Sequence, residues 1–202
     1  MGKAAIFLDR DGVINVEKDY VYTIDEFEFV ENAIEALKIL QDKGYALVVV
    51  TNQSGIARGY YTEEDFLKLT EWMDWCLIDR GVTLDGIYYC PHHPEKGIGK
   101  YKVDCECRKP KAGLIFDAAK QLNIDLKRSV MVGDRLTDIE CGKNAGIKRN
   151  YLVRTGYAIS PEDEKKATKV YKDLMELAKD MEDINGHGDM VIRRKAKKAS
   201  DE

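Results

Sequence analysis

Two acidic clusters, far apart in the chain, contain the side chains of this sequence that are best suited to chemistry. Asp9 and Asp11 follow one short apolar run, and Asp134 and Asp138 follow another. Carboxylates at the end of a buried strand repel one another unless a cation lies between them. Because Mg²⁺ prefers carboxylate oxygens and accepts phosphate oxygens as further ligands, the clusters predict a magnesium site that handles phosphate.

The residue types in these clusters match the needs of phosphoryl transfer. An ionised Asp9 can attack phosphorus, and Asp11 can protonate the departing oxygen and later activate water. Gly12 permits the tight backbone that brings both carboxylates to one cation. Asp134 would complete the coordination, with Asp138 as an outer partner or an additional ligand.

Two further positions suit a bound phosphate group. Thr51 ends a third apolar run, and its hydroxyl and the following backbone N–H groups can donate to phosphoryl oxygens. Lys109 can neutralise the charge that builds on those oxygens in the transition state. Each element alone is also typical of an Asx turn or a polar loop, but four of them in order favour a catalytic site.

Alternating strands and helices must position these residues. Predicted strands lack polar alternation, as in a sheet covered on both faces, and cover residues 4–8, 46–50, 86–89, 129–132 and 151–153. Amphipathic helices are predicted over residues 30–40, 62–77, 112–122 and 138–144, with a last one after Pro161. This order predicts an α/β fold, a doubly wound parallel sheet in which ligands bind beyond the carboxyl ends of the strands.

Residues 90–107 contain a second metal-binding pattern. Three thiolates and one imidazole are ligands that Zn²⁺ takes in closed, structural tetrahedral sites. His92 is favoured over His93, although the spacing permits either. A set of free thiols beside a histidine-rich turn is the alternative. The four predicted zinc ligands are Cys90, His92, Cys105 and Cys107.

Composition limits the class of protein. With 202 residues, we expect one domain over residues 1–184. The 32 Lys and Arg nearly balance the 36 Asp and Glu, so charge gives no general reason to bind nucleic acid or anionic lipid. No apolar stretch approaches the roughly 20 residues of a membrane span, and no signal peptide is visible, which predicts a cytoplasmic protein.

Of the five cysteines, Cys76 and Cys141 are predicted to be buried packing residues.

Residues 185–202 form a basic segment that we expect to be a flexible, solvated tail. The tail leaves open a rival class, a zinc-stabilised module that binds nucleic acid. The overall acidity and the catalytic residue types count against that class. Because no long apolar surface stripe is left unassigned, a monomer is expected.

The acidic clusters and phosphate-binding positions together resemble the four motifs of the haloacid dehalogenase superfamily of phosphatases. The resemblance covers residues 4 to about 155. It implies a Rossmannoid fold, an aspartyl-phosphate intermediate on Asp9, and Mg²⁺ held by Asp9, the Asp11 backbone carbonyl and Asp134. The intervals between motifs are too short for a large lid domain, so the cap should be minimal.

Segments 9–12, 51–59, 88–94 and 105–110 resemble, more narrowly, the family of D-glycero-D-manno-heptose 1,7-bisphosphate 7-phosphatases. That family removes the C7 phosphate on the way to lipopolysaccharide or surface glycans. The alternative within the fold is histidinol-phosphate phosphatase, whose zinc loop tends to be shorter. For a bisphosphate, the expected substrate contacts are Tyr20, Asn52, Gln53, Ser54, Arg108 and Arg135, while Arg58 is as well explained by surface charge.

Overall fold

A computed structural model describes residues 1–185 of the chain. Its six strands are β1 (Ala5–Leu8), β2 (Ala46–Asn52), β3 (Gly86–Cys90), β4 (Val130–Gly133), β5 (Arg149–Val153) and β6 (Lys169–Tyr171). Its α-helices are α1 (Ala33–Asp42), α2 (Ser54–Ala57), α3 (Glu63–Asp79), α4 (Gly113–Leu122), α5 (Leu136–Asn144), α6 (Pro161–Lys166) and α7 (Leu174–Asp180). All neighbouring strands are parallel, in the order β3-β2-β1-β4-β5-β6. The predicted doubly wound parallel sheet is confirmed.

Two regions differ from the sequence-based expectation. A helix begins at Pro161 as expected, but the expectation that it is the last element is wrong, since α6 is followed by the edge strand β6 and by α7. β6 has only three residues, of which Tyr171 alone is buried, so no apolar run marks it. The four-residue helix α2 was also not predicted. Of the predicted tail, all but Asn185 lies outside the described residues.

The sheet separates two apolar layers. Ile6 and Leu8 point into a cluster with apolar residues of α1, α3 and α7. Ala5 and Phe7 point into a second cluster with residues of α4 and α5. Burial on both faces explains why the strands show no polar alternation. Within residues 1–185, no helix is long and apolar enough to cross a lipid bilayer.

The sheet order brings the chemically important residues to one edge. β1 lies between β2 and β4, and Leu8 is in register with both Val49 and Val132. The Asp9 backbone N–H extends this pairing by donating to the Val132 carbonyl at 3.0 Å. The residues that follow β1 and β4, and those that end β2, therefore meet at the carboxyl edge.

The start of α3 is capped by a reciprocal pair, Thr62 and Asp65. The Thr62 hydroxyl accepts from the Asp65 backbone N–H at 3.1 Å, and the Asp65 carboxylate accepts from the Thr62 N–H at 3.0 Å. We expect Thr62→Ala to lower the free energy of unfolding by about 1 kcal/mol, because the Asp65 backbone N–H loses its hydroxyl acceptor. Urea denaturation should show a lower midpoint with an unchanged slope. The exposed Glu71→Ala in the same helix is the control, and an equal effect there would contradict the capping explanation.

Candidate active site

A pocket of about 220 Å³ opens at the carboxyl edge of the sheet. Nearly all of the predicted catalytic and substrate-binding residues line it: Asp9, Asp11, Tyr20, Asn52, Gln53, Ser54, Arg108, Lys109 and Arg135. The other two predicted positions, Thr51 and Asp134, are almost completely buried beside them. The residues that the sequence motifs separate by more than a hundred positions are therefore brought together in space.

Lys109 is the buried cation of the site. Its Nζ lies 3.0 Å from Asp9 Oδ1 and 2.7 Å from Asp138 Oδ1, and it donates to the Val50 carbonyl at 3.0 Å. Burial alone would lower the pKa of Lys109, but the carboxylates of Asp138 and Asp9 outweigh it and raise the pKa. Lys109 therefore stays charged, and it can offset negative charge near Asp9.

Asp9, Asp134 and Asp138 form a group of carboxylates whose oxygens lie within 4.8 Å of one another. Both oxygens of Asp138 are engaged by the protein: Oδ1 by Lys109, and Oδ2 by the N–H groups of Asp134 and Arg135, each at 3.2 Å. Of the two predicted roles for Asp138, these contacts favour the outer partner that orients its neighbours over the additional metal ligand.

Asp134 has the features of a metal ligand. Its Oδ2 accepts from the Tyr157 N–H at 3.1 Å, but its buried Oδ1 has no hydrogen-bond partner among residues 1–185. A Cβ on Gly12 would lie 2.3 Å from Asp134 Oδ2, so only glycine lets the backbone approach this carboxylate. A buried carboxylate oxygen without a partner beside a second carboxylate fits a hard divalent cation such as Mg²⁺.

The protonation behaviour of these groups agrees with a cation site. Burial raises the pKa of Asp9 well above its usual value, and the charges of Asp138 and Asp134 add to the effect against the opposing Lys109. Burial, with the Asp138 charge, raises the pKa of Asp134 to about 6. One lysine thus does not compensate the clustered carboxylates, and a bound cation would favour their ionised forms.

Asp11 lies beside this group, held by three side chains. Its Oδ1 accepts from Arg10 Nη2 at 2.9 Å and from Asn15 Nδ2 at 3.0 Å, and its Oδ2 accepts from Gln53 Nε2 at 3.2 Å. Burial would raise the pKa of Asp11, but the charge and hydrogen bond of Arg10 lower it overall. The Asp11 carboxylate is therefore ionised and fixed in orientation by these hydrogen bonds. It is not part of the Asp9–Asp134–Asp138 group.

Polar side chains at the end of β2 are joined in a short network. Gln53 Nε2 donates to Thr51 Oγ1 at 2.9 Å, and Gln53 Oε1 accepts from the Tyr61 hydroxyl at 2.5 Å. Because Gln53 also contacts Asp11, it links the Thr51 hydroxyl to the predicted acid–base residue. Tyr61 was not predicted, because its sequence context is only that of a polar loop.

Asn52, a predicted substrate contact, lines the pocket with its side-chain amide bonded to the protein. Its Oδ1 accepts from the Lys109 backbone N–H at 3.0 Å, and its Nδ2 donates to the Lys109 carbonyl at 3.2 Å. This two-bond clip fixes the Lys109 backbone to the end of β2. Asn52 also lines the pocket, but its amide is used mainly to position Lys109.

Two further arginines, Arg58 and Arg108, line the pocket. Arg108 donates to the His92 carbonyl at 3.4 Å, and burial together with the nearby Arg58 charge lowers its pKa. The buried Nε of Arg58 has no hydrogen-bond partner within the described chain. Two like charges facing one pocket are costly in the absence of an anion, which favours a binding role for Arg58 over surface charge alone.

The pocket also contains Arg135, which was predicted, and Tyr157, which sequence reasoning missed. The Arg135 guanidinium lies over the Tyr157 ring at 3.9 Å and is 3.8 Å from Glu17 Oε2. Tyr20, which was predicted, lines the pocket and contacts the Tyr60 ring edge at 4.9 Å. Tyr157 lies in a loop after β5 without any motif, so no sequence signal indicated its place in the site.

The four predicted zinc ligands converge. Sγ of Cys107 lies 3.3 Å from Cys105 Sγ and 3.5 Å from His92 Nδ1, and Sγ of Cys90 lies 3.5 Å from Cys105 Sγ and 3.7 Å from His92 Nδ1. A tetrahedron with Zn–S of about 2.3 Å and Zn–N of about 2.0 Å has edges of roughly 3.5–3.8 Å. The cluster thus has nearly the dimensions of a closed zinc site.

The hydrogen bonds around this cluster show which of the two histidines belongs to it and where the loop contacts the rest of the fold. His93 Nδ1 accepts from the N–H groups of Glu95 and Lys96 at 3.1 and 2.8 Å, so His93 stabilises a turn and does not join the cluster. The Ile98 N–H donates to the Ala57 carbonyl at 2.8 Å, which docks the loop on α2. Cys141 is buried as predicted, whereas Cys76 is only partly buried, which corrects that expectation.

Comparisons with known proteins agree with this geometry. Residues 106–177 match the model of the HAD-hydrolase-like family. The D-glycero-beta-D-manno-heptose-1,7-bisphosphate 7-phosphatase of Haemophilus ducreyi is 60% identical over 178 residues, which cover 88% of this chain and 97% of the relative. The enzyme of the same name from Escherichia coli K12 is 53% identical over 86% of this chain and 91% of its own length.

A solved structure shows the same relationship. The D,D-heptose 1,7-bisphosphate phosphatase of B. bronchiseptica, complexed with magnesium and phosphate, superposes with a TM-score of 0.74 at 31% identity, covering 87% of this chain and 96% of the other. Sequence relatives, fold and the predicted resemblance thus agree. The chain belongs to the D-glycero-beta-D-manno-heptose-1,7-bisphosphate 7-phosphatase family of haloacid dehalogenase-like hydrolases.

Proposed function

We propose that this protein hydrolyses the C7 phosphate of D-glycero-β-D-manno-heptose 1,7-bisphosphate, giving heptose 1-phosphate and inorganic phosphate. The observation that carries the proposal is one pocket that contains both the Asp9–Lys109 group and two further cations, Arg58 and Arg108. A substrate with two phosphates would use both groups, one for each phosphate. The names of the H. ducreyi and E. coli relatives support the choice of the β anomer.

The nucleophile of this reaction would be Asp9. Its carboxylate attacks the C7 phosphorus, the bond from phosphorus to the sugar oxygen breaks, and the phosphoryl group is transferred to Asp9 as an aspartyl phosphate. Lys109 and the Thr51 hydroxyl stabilise the negative charge on the transferred group. Water then attacks the aspartyl phosphate, which releases inorganic phosphate and restores Asp9.

Asp11 would move the protons. In the first half-reaction it donates a proton to the departing sugar oxygen, and in the second it accepts a proton from the attacking water. Its lowered pKa suits the second role, whereas the first requires the charge of the nearby substrate phosphate to raise that pKa. The hydrogen bonds from Arg10 and Gln53 keep the Asp11 carboxylate in the same orientation in both half-reactions.

Two metals are part of the proposal. Mg²⁺ held by Asp9, the Asp11 backbone carbonyl and Asp134 would screen the repulsion between the carboxylates and the substrate phosphate. The unpartnered Asp134 oxygen and the magnesium and phosphate complex of the B. bronchiseptica enzyme support this assignment. A structural Zn²⁺ in the Cys90–His92–Cys105–Cys107 cluster would order the loop that leads into Arg108 and Lys109.

Further expectations from the sequence stay proposals. We propose a single phosphatase domain over residues 1–184 that acts as a monomer. A cytoplasmic location agrees with a cluster of thiols that must stay reduced to bind metal. Of the expected substrate contacts we keep Tyr20, Ser54, Arg108 and Arg135 and add Arg58, because all of them line the pocket. Asn52 and Gln53 also line it, but we assign their amides mainly to positioning Lys109 and Asp11.

A substrate panel tests this function. Phosphate release should be measured with the β and α heptose 1,7-bisphosphates, fructose 1,6-bisphosphate and histidinol phosphate, with Mg²⁺ present. We expect kcat/KM for the β heptose bisphosphate to exceed that for histidinol phosphate by at least about 10²-fold. The reason is that a monophosphate bound at Asp9 and Lys109 leaves Arg58 and Arg108 without a phosphate partner. A preference for histidinol phosphate would overturn the proposed substrate while leaving the chemistry at Asp9 in place.

A further inference from the structure

The rim of the pocket contains two consecutive residues in an unusual backbone conformation. Asp19 and Tyr20 have φ values of 56° and 58°, in the left-handed region, although neither is glycine. Non-glycine residues occupy this region only where the surrounding structure holds them there. Because Asp19 and Tyr20 line the pocket, the contacts that hold them also determine what the rim presents to a substrate.

Tyr157 provides a contact of this kind from a distant part of the chain. Its hydroxyl donates to Asp19 Oδ1 at 2.6 Å. The Asp19 N–H in turn donates to Glu17 Oε1 at 2.7 Å, which closes the turn locally. Of these two contacts, only the one from Tyr157 connects the rim to another element of the fold.

The position of Tyr157 is itself fixed by contacts with Asp134 and Arg135. Its backbone N–H donates to Asp134 Oδ2 at 3.1 Å, and its ring lies under the Arg135 guanidinium at 3.9 Å. A Cβ on the preceding Gly156 would lie 2.0 Å from Asp134 Oδ2, so the backbone here is pressed against that carboxylate. One residue therefore spans the distance from the Asp134 carboxylate to the rim.

We propose that Tyr157 is a specificity-determining positioning residue, which holds the Asp19–Tyr20 turn in the conformation that receives the sugar of the bisphosphate. This rests on the function proposed above. The hydroxyl is the part that acts on the rim, because the backbone contact with Asp134 does not depend on the side chain. A substrate without a sugar would gain little from the ordered rim.

Tyr157→Phe tests the proposal by removing only the hydroxyl. We expect the ratio of kcat/KM for the β heptose bisphosphate to that for p-nitrophenyl phosphate to fall about tenfold, mainly through KM, since one hydrogen bond to a charged group is lost. Hydrogen exchange of the amides of residues 17–20 should become faster in the same variant. Combining Tyr157→Phe with Asp19→Ala should add little to the effect of either change alone.

Tyr171→Phe is the matched control, because the Tyr171 hydroxyl also donates to an aspartate, Asp180, at 2.6 Å, and does so at the far edge of the sheet. It should change neither the ratio nor the exchange of residues 17–20. An unchanged ratio or unchanged exchange in Tyr157→Phe overturns the proposal. If the wild type does not prefer the heptose bisphosphate, the proposed function fails and the specificity role fails with it, while exchange still decides whether Tyr157 holds the rim.

Discussion

Asp9→Asn should reduce phosphate release from the heptose bisphosphate by about 10³-fold or more, because an amide cannot form the phosphoryl intermediate. The fold should tolerate the change, since Asn has the same shape and Lys109 keeps its 2.7 Å contact with Asp138. Removing one of several buried like charges should change the free energy of unfolding by no more than about 2 kcal/mol. Steady-state phosphate release and thermal unfolding measure the two effects separately.

The same substitution at an exposed position provides the control. Asp42 lies at the end of α1, pairs with Lys38 on the surface at 3.0 Å, and is remote from the pocket residues. Asp42→Asn should therefore leave turnover unchanged. Retention of more than a few per cent of wild-type activity in Asp9→Asn would show that another residue is the nucleophile. A trapped phosphoryl group on wild-type Asp9, seen by mass spectrometry of the quenched enzyme, would give direct support.

Loss of zinc should damage both stability and catalysis. We expect Cys107→Ser to lose the bound metal and about 3 kcal/mol of stability, which corresponds to a fall in melting temperature of about 10 °C. Because Arg108 and Lys109 follow Cys107 directly, a disordered loop would misplace both cations and lower kcat/KM on the order of 10²-fold. Zinc content by elemental analysis, melting temperature and phosphate release give three readings on one sample.

Cys76→Ser separates this effect from the general loss of a thiol. Cys76 is partly buried on α3 and is not one of the four clustered residues, so we expect full zinc content and near wild-type activity. His93→Ala should also retain zinc, because His93 caps a turn. A Cys107→Ser protein that contains no zinc and yet melts and turns over as the wild type does would show that the cluster has no structural role.

Much of the site follows from the sequence because its residues stand at strand ends. Once Ala5–Leu8 and Val130–Gly133 are recognised as buried parallel strands, Asp9 and Asp134 must lie at the same sheet edge. The Cys90–His92–Cys105–Cys107 cluster could be predicted equally well, since paired cysteine and histidine residues are typical metal ligands. The choice between His92 and His93 required coordinates, because it depends on a turn that their shared spacing does not reveal.

Other features depend on tertiary contacts that leave no local pattern. Lys169–Tyr171 becomes a strand only because β5 offers it a pairing edge. The neighbours of Asn52 in the sequence suggest a substrate contact. In the fold, the Lys109 backbone lies beside Asn52 and forms two hydrogen bonds with its side-chain amide. Tyr157 contacts Asp19 across more than a hundred residues, and long-range pairs of this kind have no period or motif from which to predict them.

The contact between the metal-binding loop, residues 90–107, and α2 bears on how the substrate preference of this enzyme could be changed. The Ile98 N–H bond to the Ala57 carbonyl joins the metal-binding loop to α2, and the pocket residues Arg58 and Arg108 directly follow α2 and Cys107. Asp9 and Asp134 follow β1 and β4 instead, so the part of the loop between the metal ligands can be lengthened, shortened or exchanged while the catalytic residues stay in place. Loop grafting between residues 93 and 104, which keeps His92 and the three clustered cysteines, is therefore a practical route to redirect the enzyme toward other phosphorylated metabolites.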